Sequence, residues 1–165
     1  MAHGGRAHVV EWRGATAPYA GVMTKIRRVS ASRVINAPPE RIFDLLADPR
    51  AHATLDGSGT VVDVKRAPAR LFLGAKFSMD MKMGVGYFTS NKVVAFEEGR
   101  CIAWHHIAQF VWRYDLEEVP GGTLVTESFI YNKPWAFVII RLGWPERNRQ
   151  SMERTLERIA AAVTA

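Results

Sequence analysis

The chain has 165 residues, one domain's worth, and its 48% hydrophobic content is enough for a core. Its 22 basic and 16 acidic residues leave a net charge of +6, yet the basic residues are scattered and no nucleic-acid motif accompanies them. No apolar run approaches the roughly 18 residues that span a membrane, no export signal opens the chain, and the single cysteine, Cys101, excludes an internal disulfide, so a cytoplasmic location is expected.

Residues 1–24 mix Gly, Ala, His and Pro without periodicity and are read as a poorly ordered leader before a single domain over 25–165. Met23 stands just before the first patterned segment and is a candidate start. Val29, Ala31, Arg33 and Ile35 then alternate with Ser30, Ser32 and Val34, which predicts a strand. Pro38-Pro39 supplies the φ that opens a helix, and Ile42, Phe43, Leu45 and Leu46 continue it until Asp48-Pro49. A short second helix is expected around 49–54, followed by the loop "LDGSGT".

From Thr60 the pattern is nearly all strand, near 60–67, 74–83, 86–97, 100–107, 109–119 and 122–131. The breaks at Pro68, Gly84, Gly99 and Pro120-Gly121-Gly122 carry turn residues and suit an antiparallel meander. "NKPWAFVIIRLGWPERN" (132–148) is an aromatic, apolar connection, interrupted by Gly143. Pro145 opens a long amphipathic helix of roughly five turns. Met152, Leu156, Ile159, Ala160 and Val163 share its apolar face; Arg149, Arg154, Glu157 and Arg158 lie mostly opposite.

Strand, two short helices, six strands and a long helix, with the words "VINAPPERIFDLLADP", "DGSGTV", "WRYDLEEVPGGTLVTESF" and "RLGWPERNRQSMERTLERIA", resemble the birch-pollen-allergen and START superfamily. The resemblance covers roughly residues 27–163 and is nearest to bacterial, in particular actinobacterial, polyketide cyclase/dehydrase-like members of the SRPBCC group. It implies an α+β helix-grip fold: a strongly curved antiparallel seven-stranded sheet wrapped around a long C-terminal helix. It also implies a deep apolar cavity between the two, without a catalytic set shared by all members.

That expectation gives alternating residues a direction. In "FSMDMKMG" (77–84), Phe77, Met79, Met81 and Met83 face the helix, either as ordinary core or as an adaptable apolar wall. Phe110, Trp112 and Tyr114 share the inner face of the next-to-last strand, opposite Gln109, Arg113, Asp115 and Glu117. Trp104 and His106 come from the neighbouring strand, and Met152 and Leu156 from the helix. Val125, Glu127 and Phe129 share a face of the last strand, and the Thr126/Ser128 face is the natural wet one. Glu127 therefore points inward unless a bulge or register slip turns it out.

A buried carboxyl must be paired, hydrogen-bonded or neutral. With His106 or Tyr114 it would move protons, or it would orient a ligand hydroxyl. His52 and Asp56 flank the "DGSG" loop, which the resemblance sets near the cavity entrance; loop capping by Asp56 is the alternative. Adjacent His105 and His106 point to opposite faces and do not chelate one ion, and no phosphate loop, CxxC or nucleophile motif is present, so neither metal nor cofactor is expected.

Three readings follow. The first is a carrier of a small hydrophobic molecule such as a lipid or polyketide. The second is a cyclase/dehydratase-type enzyme acting in the same cavity. The third is weak docking on anionic membranes or partners through the Arg-rich helix and "KPWAFVIIRLGW". No nucleic-acid partner is expected, and the oligomeric state is not readable.

Overall fold

The structure, a computed structural model, describes residues 27–105 and 109–164. The leader, Met23 and His106 lie outside the described residues. The chain runs β1 (Arg28–Ile35), α1 (Pro39–Ala47), α2 (His52–Leu55), β2 (Val61–Arg66), β3 (Lys76–Met83), β4 (Val85–Glu97) and β5 (Cys101–His105). It continues through β6 (Val111–Val119), β7 (Gly122–Ile130), a 3-10 turn (Pro134–Ala136), α3 (Phe137–Arg141) and α4 (Trp144–Thr164).

All pairings are antiparallel, in the order β1-β7-β6-β5-β4-β3-β2. The first strand thus pairs with the last, and β1 and β2 form the two edges. Register shifts in β2–β3 and β4–β5 add the local twist that helps such a sheet curve. This is the α+β helix-grip arrangement expected from the sequence.

Each layer forms for a local reason. Pro38 caps α1 with Pro39 in its first turn, where the missing N–H removes no helical bond. Ile42, Phe43, Leu46 and Ala47 then fall on one buried face. In α4, Met152, Leu156, Ile159 and Val163 are buried, and the helix packs on β1 and β7. Ala160 is only half-buried, and Thr155 is the polar residue that the helix buries.

Two glycines let segments approach more closely than any side chain permits. At Gly122 (φ +137°) an added Cβ would lie 2.1 Å from the Ile35 carbonyl oxygen, where β7 starts beneath the end of β1. At Gly57 it would lie 2.1 Å from the Ser151 carbonyl oxygen on α4. The Gly57 N–H donates to Thr155 Oγ1 (2.9 Å), and Arg154 Nε and Arg158 Nη1 donate to the Gly57 and Asp56 carbonyls (2.7 and 2.5 Å). The loop after α2 is therefore bolted to the long helix.

Candidate functional site

The inner face of the sheet is built by alternation. Ladder pairing sets Trp104 opposite Trp112, Ile102 opposite Tyr114, and Tyr114 opposite Glu127. Glu127 is in turn opposite Ala31 on β1. No bulge interrupts β6–β7, so Glu127 points inward and is only 3% exposed. Ser128 and Thr126 take the outer face, where their hydroxyls meet Ser30 and Ser32 (both 2.9 Å). Arg113 is also on that outer face, held by Asp115, and does not reach Glu127's side of the sheet.

The Tyr114 hydroxyl faces the Glu127 carboxyl across the strand pair and acts on its pKa as a hydrogen-bonding neighbour. The second carboxyl oxygen, Oε2, is buried without a hydrogen-bond partner among the described residues. Burial pushes the Glu127 carboxyl up to about 8; the Tyr114 hydrogen bond opposes that rise, and the charge of Asp56 adds to it. Glu127 is thus mostly protonated at neutral pH. Its neutral carboxyl offers a donor and acceptor in a desolvated interior. Burial, reinforced by Glu127, also lifts the Tyr114 hydroxyl well above its ordinary range.

Aromatic walls stand beside this pair. Trp104 lies 5.7 Å from Tyr114, 5.8 Å from Phe77 and 5.1 Å from His52, ring centre to ring centre. A second group joins Phe129 to Phe110 (5.4 Å) and Trp112 (4.9 Å), with Trp135 against Phe110 at 4.6 Å. Phe77, Met79, Val125, Met152 and Leu156 are buried around them, and Met81 is half-buried. Two surface hollows, of about 260 and 250 Å³, lie elsewhere: one at Asn36–Pro39 with Glu118 and Gly122, the other between Ser32-Arg33 and Glu153–Glu157.

One expected site residue is placed differently. Met83 is 52% exposed at the end of β3, and its ladder partner Val85 is exposed as well. The alternation persists there, but no described layer covers it, so Met83 is not part of the buried wall. His52 is half-buried against the aromatic wall. Its ring stacks on Trp104 at 23° and its Nε2 bonds the Leu46 carbonyl (2.9 Å); burial lowers its pKa, and the Leu46 bond opposes that shift. Asp56 caps its own loop, accepting from the Ser58, Thr60 and Val61 N–H groups (2.9–3.0 Å). Cys101 is buried beside Asp115 and its thiol is pushed up to about 11, a poor nucleophile.

Sequence reasoning passed over Asn91 and Thr155. Asn91 is buried opposite Phe77 and donates weakly to the Phe77 carbonyl (3.4 Å). Its signal was present, because it alternates with Val93 on β4. Thr155 lies three residues after Met152 on the buried face of α4, but a threonine there does not announce a partner 98 residues away.

Among curated proteins the chain is 36% identical over 140 residues to the uncharacterized protein Rv0088 of Mycobacterium tuberculosis, and 35% identical over 140 residues to MT0096 from another strain of that species. The match covers 81% of this chain but only 62% of those relatives' length. Protein Ms6760 from Mycobacterium smegmatis has the same fold, with a TM-score of 0.65 at 20% identity over 86% of this chain and 97% of that one. The di-domain ARO/CYC protein BexL from the BE-7585A biosynthetic pathway matches with a TM-score of 0.65 at 17% identity, over 85% of this chain and 50% of that one. Residues 27–164 match a family described as polyketide cyclase / dehydrase and lipid transport, and with the seven-stranded helix-grip architecture this places the chain in that SRPBCC-type family.

Proposed function

We propose that the protein binds a small hydrophobic molecule against the inner face of its sheet, with Tyr114 and Glu127 engaging the one polar end of that molecule. The observation that carries this reading is Glu127 Oε2, a buried carboxyl oxygen with no partner among the described residues, on a strand face shared with buried Val125 and Phe129 and opposite Tyr114. A neutral carboxyl in that position donates to a ligand carbonyl or hydroxyl, and the apolar wall supplies affinity through burial. The family match and the likeness to an ARO/CYC protein support a hydrophobic ligand of the lipid or polyketide kind. Trp104 bridges Phe77 and Tyr114, so a ligand lodged among these rings would part them.

The same pair favours a second reading. A carboxyl with its pKa near 8 beside a tyrosine hydroxyl in a dry interior is also suited to general acid–base work, as a cyclisation or dehydration requires. Native mass spectrometry of freshly purified protein, compared with its denatured mass, tests the carrier reading. An adduct lost on denaturation is expected, and a clean mass together with failure to bind apolar probe dyes overturns it. Glu127→Gln separates the readings: a carrier loses a modest part of its affinity, whereas an enzyme loses turnover and keeps binding.

A further inference from the structure

The segment after β7 exposes what an interior connection hides. Ala136 and Ile139 are buried and anchor the 3-10 turn and α3 to the domain. Around those anchors Phe137 (64% exposed), Val138, Ile140 and Leu142 (58% exposed) face outward. Four large apolar side chains within six residues form the kind of contiguous patch that marks an interaction surface. Trp135, at the start of the segment, is partly exposed and packs its other side on Phe110.

Charge says what covers the patch. No acidic residue occurs between Glu127 and Glu146, whereas Lys133 and Arg141 lie inside that span and Arg147 follows it. Among the described residues none of these three cations has a carboxylate partner. The neighbouring arginines of α4 are engaged: Arg149 with Glu146 and Glu153, Arg154 and Arg158 with loop carbonyls. A second copy of the chain seated here by two-fold symmetry would bring a second set of the same cations to the interface, with no acidic residue from 128–145 to meet them. An anionic phospholipid surface matches both features, since acyl chains take the apolar side chains and headgroups take the cations.

We infer that Trp135–Leu142 docks this domain on an anionic lipid surface, Phe137 and Ile140 entering the acyl boundary, Lys133 and Arg141 meeting headgroups, and Trp135 at the interface. The segment meets the interior wall through Trp135, which packs on Phe110, whereas Phe137, Ile140 and Arg141 are exposed, so docking is read at these three positions and without a ligand.

The test uses sedimentation of the full chain with vesicles of phosphatidylcholine alone or with phosphatidylglycerol, without added ligand. Binding is expected to rise with phosphatidylglycerol and to fall with salt. The double substitution Phe137→Gln with Ile140→Gln is expected to weaken it about tenfold or more. Arg141→Glu is expected to remove much of the salt-sensitive part. All three positions are exposed, so an unchanged melting temperature and unchanged binding of apolar probe dye keep a docking defect distinct from misfolding or a failed interior site. The inference is overturned if the wild-type chain ignores phosphatidylglycerol vesicles, or if the double variant binds them as the wild type does. It is equally overturned if the double variant instead shifts a dimer to monomer in sedimentation velocity, which assigns the patch to a second copy.

Discussion

Tyr114 and Glu127 sit directly opposite each other on adjacent antiparallel strands, both buried, and each shifts the other's pKa. This relationship ties ladder register to chemistry. A one-residue slip of β7 would send Glu127 to the outer face and bring Thr126 or Ser128 inward. The register is held from both sides, by β1 and by β6.

The raised Glu127 carboxyl makes stability depend on pH with a definite sign. The folded chain holds the proton up to about 8, whereas the unfolded chain releases it near 4.5. The stabilising contribution is complete below the lower value and is lost as pH rises through the upper one, at up to about 1.4 kcal/mol per pH unit between them. His52, whose pKa burial lowers, works in the opposite direction below its ordinary 6.5. Urea titrations of wild type and Glu127→Gln across this range isolate the carboxyl: the difference between them should shrink steadily in favour of the glutamine variant as pH rises. A flat difference would mean that Glu127 titrates as an exposed carboxyl.

Removing the tyrosine hydroxyl should push the same carboxyl further. In Tyr114→Phe, Glu127 loses the hydrogen bond that opposes its upward shift, so its midpoint moves above about 8. The fold should lose about 1–3 kcal/mol, because a buried acceptor is left unpartnered. The carboxyl carbon signal of Glu127, followed by NMR against pH, reads the midpoint directly.

Strand alternation carried most of this into the sequence. The inward glutamate was legible because Val125 and Phe129 flank it at period two, and Thr126 and Ser128 mark the other face. The wall of Phe77 and Met79 was legible for the same reason; Met83 was not, since periodicity gives the face but not where the covering layer ends. The stretch 132–148 read as a connection because its apolar residues run without a clear period, and only tertiary packing distinguishes buried Ile139 from exposed Ile140. The stacking of His52 was not legible, because its partner Trp104 is 52 positions away on β5.

The contact between the Gly57 loop and α4 was likewise invisible in the sequence, and it predicts a large effect from the smallest substitution. A Cβ at Gly57 would meet the Ser151 carbonyl oxygen at 2.1 Å and the Thr155 nitrogen at 2.6 Å, both helix backbone that does not yield as a side chain does. Gly57→Ala should therefore cost about 1–3 kcal/mol by displacing the loop from α4. Thr155→Val, which strands the Gly57 N–H, should cost a comparable amount, about 1–3 kcal/mol. Equilibrium unfolding in urea should show lowered midpoints with an unchanged slope. A native-like midpoint for Gly57→Ala would mean that the loop sits away from the helix.

Asp56 links that loop to the buried pair, and Asp56→Asn should move two quantities at once. Its carboxylate accepts from three backbone N–H groups and from the Ser58 hydroxyl (2.7 Å), so neutralising it weakens several charge-assisted bonds together. Stability should fall by about 1.5–3 kcal/mol. The negative charge of Asp56 also helps hold the Glu127 midpoint up, so Asp56→Asn should lower that midpoint, opposite to the effect of Tyr114→Phe. Opposite shifts on one carboxyl, read by the same NMR titration, would show that the loop's charge reaches the interior through a low-dielectric path. A lowered stability with an unmoved Glu127 midpoint would instead confine Asp56 to holding the loop, and burial with the Tyr114 bond would then account for the carboxyl by themselves.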